Sequence, residues 1–202
     1  MKPRYDYEGS PLWSVTQILS VLPKKELIKW LDTQIQPNKA KTESATKGTI
    51  VHWRIHQYIA KEHDLPPQKL ELQNKIIPPH MGAAVRDCFS QFLEWYNAHE
   101  IRPVWLEKPH YSTELGYAGT PDALMYVDGV LMLLDWKTSN SIWSNYHAQL
   151  AAYEHLIEET PKVLKIFKFN ENRGSEEAVV NGPEAWKVFK DAREQFFKKY
   201  GI

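Results

Sequence analysis

The chain has 202 residues, 43% hydrophobic and 25% charged, and its 25 basic and 25 acidic side chains cancel to a formal net charge of zero. That balance suits a folded core and argues against a protein that coats nucleic acid through overall positive charge. Cys88 is the only cysteine, which excludes an intrachain disulfide, a multi-cysteine zinc site and a four-cysteine iron–sulfur cluster.

The opening residues, MKPRYDYEGSPLW, carry no apolar leader core and no Arg/Ser-rich amphipathic stretch, so no secretory or transit segment is expected. No apolar run reaches the ~20 residues of a membrane helix. Ser14 ahead of Val15, Ile18 and Leu19 predicts a short capped helix. Pro23 ends it, and a helix restarts over 24–32. Residues 33–43 are polar and read as loop. Val51, Ile55, Tyr58 and Ile59 recur at helical spacing within 44–62. Pro66-Pro67 and Pro78-Pro79 bracket a connection. Val85, Cys88, Phe89, Phe92 and Tyr96 mark an amphipathic helix over 80–98. Residues 24–47 hold six lysines (Lys24, Lys25, Lys29, Lys39, Lys41, Lys47) against Glu26, Asp32 and Glu43, which predicts a local basic face.

The second half changes character. Residues 103–112, 115–127 and 130–138 read as a three-strand meander. A helix follows over 143–158, then a strand over 162–170, a short strand at EEAVV and a closing helix over 183–200. The expectation is a single α/β domain, with a mainly helical part over 1–100 and a sheet core over 101–202. Its mixed central sheet is flanked by helices, with an N-terminal helical elaboration.

Asp128-Gly129 predicts a two-residue hairpin turn of the type that needs positive φ. That turn pairs 127 with 130 and sets Asp122 opposite Asp135. Facing side chains stand about 5 Å apart, and like charges there repel. Lys137 shares the face, as do Leu124, Tyr126, Leu131 and Leu133. Two carboxylates held together on an apolar face need a cation between them. A hard divalent ion, Mg²⁺ or Mn²⁺, meets that need. An ammonium beside it suits the hydrolysis of a phosphodiester. A bare D-x-K also reads as a simple ion pair at a hairpin end; Pro121-Asp122 facing it favours a site.

These residues carry a resemblance. PD followed by DWK has the form of the PD-(D/E)XK nucleases, and GTPD, LLDWKTS and QLAAY in that order resemble the RecB-like exonuclease branch. SVTQIL and the G-x-x-x-H block at 48–52 extend the likeness toward the mitochondrial genome maintenance exonuclease group and its phage and prokaryotic members. The likeness spans roughly residues 10–170. It implies a restriction-endonuclease-like core and a metal-dependent exodeoxyribonuclease acting on single-stranded DNA with a free end. Work in DNA repair or recombination, in the cytoplasm of a prokaryotic or phage-infected cell, goes with it.

The resemblance also implies roles. His52, which alone reads as a structural or surface histidine, becomes a metal ligand with Asp122, Asp135 and the Trp136 backbone carbonyl, and an imidazole ligand tilts the choice toward Mn²⁺. His56 and His63 lack the matching context. Glu107 matches the upstream acidic residue that binds metal or activates water; Glu114, closer to the hairpin, competes with it. Lys137 assists the attacking water. Gln149 and Tyr153 share a helix face: Gln149 orients the lysine or the water, and Tyr153 either reaches DNA phosphate or packs in the core. Thr138 and Ser139 donate to phosphate or cap the turn. Ser14 and Thr16 cap a helix or face DNA. Trp53 and Trp143 flank the site in sequence and suit base stacking, although tryptophans usually fill cores. Two rival readings share these residues: a structure-specific endonuclease or resolvase, and a DNA-binding recombination or replication factor with a vestigial site. A small-molecule metallohydrolase is weaker, because the Q-x-x-x-Y block gives it no support.

Overall fold

The computed structural model describes residues 1–23, 28, 32–67, 79–171 and 174–201. Of the helix expected over 24–32 only Ile28 and Asp32 are among them, and most of the connection between the two Pro-Pro pairs lies outside.

The described residues form nine strands and five α-helices: β1 (Tyr5–Tyr7), β2 (Ser10–Ser14), α1 (Val15–Ile18), α2 (Pro37–Glu62), α3 (Gly82–Asn97), β3 (Ile101–Leu106), β4 (His110–Ser112), β5 (Tyr117–Gly119), β6 (Ala123–Val127), β7 (Val130–Lys137), α4 (Ser144–Glu154), β8 (Val163–Asn170), β9 (Gly174–Val179) and α5 (Gly182–Tyr200). The larger sheet has the order β3-β6-β7-β8-β9, with β7 and β8 parallel and the other pairs antiparallel. It is the expected mixed central sheet with helices on both faces.

Strand alternation builds the two faces. Leu124, Leu133 and Ile166 point to one side, where α1, α4 and α5 bring Ile18, Ala148, Leu150, Phe189 and Phe196. Ala123, Met125, Leu134, Trp136 and Phe167 point to the other, against Val51, Ile55 and Ile59 of α2 and Val85, Cys88 and Phe92 of α3. The helical periodicities read from the sequence are these buried stripes.

Three expectations are corrected. The polar segment 33–43 is not all loop, because α2 starts at Pro37, in the first helical turn, where its fixed φ and missing N–H suit it. The opening residues are not purely helical: β1 and β2 join β4 and β5 in a second sheet of order β1-β2-β5-β4, with β2 parallel to β5. The meander is also broken. Residues 103–112 divide into β3 and β4, and 115–127 divide into β5 and β6 around Thr120-Pro121-Asp122. Pro121 has no N–H to give a ladder. The chain leaves the small sheet there and enters the large one, with Asp122 at the join.

The predicted turn is present, with Asp128 at φ 49° and Gly129 at φ 79°, and Val127 pairs with Val130. The Asp128 carboxylate accepts the Glu100 N–H at 2.9 Å, pinning the turn to the start of β3. Pro121 and Gly119 sit where the two sheets meet, and Gly119 abuts the Tyr153 ring. A methyl at Gly119 would fall 2.8 Å from Tyr153 Cδ1 and nearer still to Cε1. Tyr153 is buried and its hydroxyl is hydrogen-bonded, so the ring has little room to yield. Gly119→Ala is expected to destabilise the protein by about 1–3 kcal/mol, read as a lower urea midpoint; an unchanged midpoint would mean that the ring moves freely.

Candidate active site at the ends of three adjacent strands

The site is a row of acids. Leu106 of β3 pairs with Ala123, and Ala123 pairs with Leu134. One residue further on, Glu107, Asp122 and Asp135 stand level on three neighbouring strands. The Glu107 amide donates to the Asp122 carbonyl at 2.9 Å, and the Trp136 amide donates to Asp122 Oδ2 at 2.7 Å. The Asp122 side chain thus replaces a ladder bond that the Pro121 break interrupts. Glu107 is brought level by the register shift between Pro103 and Trp105 in β3; without that shift its side chain would point to the opposite face. It ends β3 at φ 42°, a left-handed conformation that a non-glycine residue adopts only when its surroundings impose it.

α2 closes the site from above. Gly48 and His52 lie one turn apart on its inner face. A methyl at Gly48 would be 3.2 Å from Thr138 Oγ1, so glycine there permits the close approach of helix and β7 end. His52 Nδ1 reaches Asp122 Oδ1 at 3.3 Å. Ligand atoms of His52, Glu107 and Asp122 all lie within 4.8 Å of one another. Asp135, only 1% exposed, lies beside this trio and pairs with the Lys137 ammonium.

The charges distort one another. Burial pushes the Asp135 carboxyl up; Lys137 opposes this and Asp122 adds to it, leaving it at about 6. Burial also disfavours charge on Asp122, but His52, Lys137 and the Trp136 amide outweigh it and hold that carboxyl below its usual range. His52 and Lys137 both stand above their ordinary values, because neighbouring carboxylates overcome the burial that disfavours their charged forms. The donor set of one imidazole and carboxylate oxygens fits a divalent ion. His52, Glu107 and Asp122 could hold it, with Asp135 completing the charge.

A cleft of about 950 Å³ opens from this cluster, lined among others by His52, Glu107, Lys137, Thr138, Ser139 and Gln149. Thr16, Lys41 and Lys47 border it as well; Lys47 also pairs with Glu171 at 3.4 Å. Lys24, Lys25 and Lys29 lie outside the described residues. Ser14, Tyr153 and Glu114 sit outside the cleft lining, and Ser139 within it is tied to its own loop. Ser14 is buried and caps α1, its hydroxyl accepting the Gln17 N–H. Tyr153 is buried beneath Gly119 and its hydroxyl accepts from Gln149 Nε2 at 2.9 Å. The Ser139 hydroxyl donates to the Ser141 carbonyl at 2.7 Å, holding the loop after β7. Glu114 is exposed in the β4–β5 turn, away from the cluster.

Two features escaped the sequence reading. Tyr146 of α4 lies with its ring centroid 4.8 Å from Lys137 Nζ; its position three residues before Gln149 was the available signal. Asn170, at the end of β8, donates to the Ser139 carbonyl and Asn140 Oδ1, both at 3.3 Å, and exchanges two bonds with Gln91. Nothing local in the sequence marks that network.

The profile of the PD-(D/E)XK nuclease superfamily matches residues 26–199. This chain belongs to that superfamily. Its fold is accordingly the restriction-endonuclease-like one, and nucleases of this superfamily use divalent metal ions. No curated protein matches the chain by sequence. Among solved structures, the nuclease is similar to the protein SSO0001, at 13% identity over 94% of this chain and 78% of that one, with a TM-score of 0.44. It is also similar to an alkaline exonuclease from Laribacter hongkongensis, at 10% identity over 93% and 87%, with a TM-score of 0.43. That exonuclease in complex with dAMP aligns with a TM-score of 0.43. Among the described residues no helix is long and apolar enough to cross a membrane.

Two expectations follow. In the metal-free protein, Lys137→Met removes the ammonium that favours the Asp135 carboxylate, so Asp135 should titrate above about 6, followed by carboxyl carbon NMR; an unchanged midpoint would refute the pairing. Mn²⁺ at about 100 times its dissociation constant should stabilise the fold by about 2.7 kcal/mol. His52→Ala should weaken that response in a thermal melt, and an equal response in both proteins would remove His52 from the ligand set.

Proposed function

We propose that this nuclease is a divalent-metal-dependent exonuclease that hydrolyses phosphodiester bonds of single-stranded DNA from a free end. The observation that carries the reading is the level row of Glu107, Asp122 and Asp135, with His52 above it and Lys137 beside it, at the head of a cleft.

In this reading His52, Glu107 and Asp122 hold Mg²⁺ or Mn²⁺, with Asp135 and the Trp136 carbonyl contributing oxygen. The bound ion would supply Lewis acidity toward the scissile phosphate and lower the pKa of water. The chain's own groups do the rest. Asp135 holds the Lys137 ammonium in place by charge. Lys137, at the cleft wall, orients the attacking water and balances charge developing on the phosphate. Gln149 lines the cleft, so its amide is placed to fix that water, while its bond to Tyr153 locks its rotamer. Thr138, Ser139 and Thr16 offer hydroxyls along the cleft, and Lys41 and Lys47 offer positive charge to the backbone. Tyr153 and Ser14, being buried, act as positioning residues. The cover provided by α2 favours a threaded free end over a duplex. A role in DNA repair or recombination within a prokaryotic or phage-infected cell is consistent with such an activity.

The test compares end-labelled linear and circular single strands, each with Mg²⁺, Mn²⁺ or EDTA. Linear strands should be degraded with either ion and spared in EDTA, and circles should survive. Degraded circles would select an endonuclease instead, and binding without turnover in Mn²⁺ would select a vestigial site. Asp135→Ala and Lys137→Ala should each lower cleavage by at least about 10³-fold with an unchanged circular-dichroism spectrum; full activity in either refutes the assignment.

A further inference from the structure

The chain has eight tryptophans, of which seven are described. Trp13, Trp105 and Trp186 pack with the apolar core on the α4–α5 side of the sheet, and Trp95 and Trp136 with the core on the α2–α3 side. Trp53 and Trp143 belong to neither core, and both line the catalytic cleft. A tryptophan left half-covered at a wet cleft forgoes much of the burial it could gain, unless something flat and apolar covers it from outside.

The placement of Trp143 narrows the ligand. It stands just ahead of α4, its ring stacked on Tyr146 at 5.4 Å with the planes 20° apart. Tyr146 in turn lies under the Lys137 ammonium, 4.8 Å from ring centroid to Nζ. The lysine, the tyrosine and the tryptophan form a continuous step away from the acid row. Trp53 follows His52 on α2, so the second cleft-lining indole is fixed by the helix that covers the row. Cations, not rings, suit phosphates; rings suit base faces. In a base-paired duplex the base faces are already covered by their neighbours, so only an unpaired strand offers them.

We propose that Trp53 and Trp143 are the nucleobase-binding walls of the cleft, stacking on unpaired bases next to the phosphate held at the acid row. The proposal rests on the nuclease reading of that row and adds the feature that selects single strands. Tyr146 backs Trp143 and fixes its plane.

The experiment needs no cleavage. A short oligothymidylate and an abasic strand of equal length carry the same phosphates, but only one carries bases. With EDTA present, each is titrated into the full chain, following anisotropy of a labelled strand and the protein's tryptophan emission. The wild type should bind the thymidylate roughly tenfold or more tighter than the abasic strand, and only the thymidylate should quench the emission. Trp53→Leu and Trp143→Leu should each cut that preference severalfold while leaving affinity for the abasic strand unchanged, and Trp143→Phe should retain most of it. Equal binding of both strands by the wild type, or a preference that survives in the double leucine variant, overturns the proposal. If the leucine variants do not fold, wild-type emission indifferent to thymidylate overturns it alone. Cleavage of a linear strand in Mn²⁺ is scored separately. Cleavage without base preference defeats the tryptophan walls and keeps the nuclease reading; base preference without cleavage does the reverse.

Discussion

Three carboxylates held level on adjacent strands are the constraint that the rest of the molecule serves. Glu107 just past β3, Asp122 just before β6 and Asp135 within β7 stand at one height. Their backbones are tied by ladder bonds, so they cannot move apart to relieve repulsion. A flexible loop bearing the same acids would splay them into water. The sheet forbids that, and the Asp135 carboxyl is pushed up to about 6, by burial first and by Asp122 in addition. His52 and Lys137 offset part of that repulsion, and a divalent cation bound in the row would offset more.

Positioning that row takes the whole architecture. Two apolar layers clamp the sheet between α4–α5 and α2–α3, and interiors packed at crystal-like density resist small shifts. The shift within β3 sets the side from which Glu107 points. The Pro121 break frees the Asp122 side chain to take the Trp136 amide. Gly48 lets α2 come close enough for His52 to reach Asp122. These devices act at points on the chain separated by tens of residues, and each sets the position of one side chain of the cluster.

The hairpin was the most legible part of the sequence. Asp128-Gly129 fixed the turn, the turn fixed the register, and the register alone put Asp122 opposite Asp135. The stripes of α2 and α3 were legible for the same reason: a strict period maps onto one face. What escaped notice depends on contacts between distant segments. β1 and β2 are three and five residues long, and β2, which carries β1 on its outer edge, pairs with β5 more than a hundred residues away, so no local pattern announces that sheet. The shift in β3 arises from its pairing with β6 and leaves no mark in VWLEK, so Glu107 was preferred over Glu114 on the resemblance and not on register. Ser14 and Tyr153 matched motif positions, yet the motif does not say whether a residue touches a ligand or holds another that does.

The division of labour among the charges follows from burial. Asp122 has His52, the Trp136 amide and Lys137 around it, and these hold its carboxyl below its usual range against burial. Asp135 is more deeply buried and is compensated chiefly by Lys137. Its charge state therefore depends on whether that ammonium is present and whether an ion has arrived. The same carboxylate keeps Lys137 protonated, since both Asp135 and Asp122 raise it against burial. A protonated lysine can orient a water and balance phosphate charge, but it cannot accept a proton. In the proposed mechanism the proton of the attacking water would therefore go to a carboxylate or to solvent, and Glu107, which lines the cleft beside His52 and Asp122 with its backbone held at φ 42°, is an acid within reach of both.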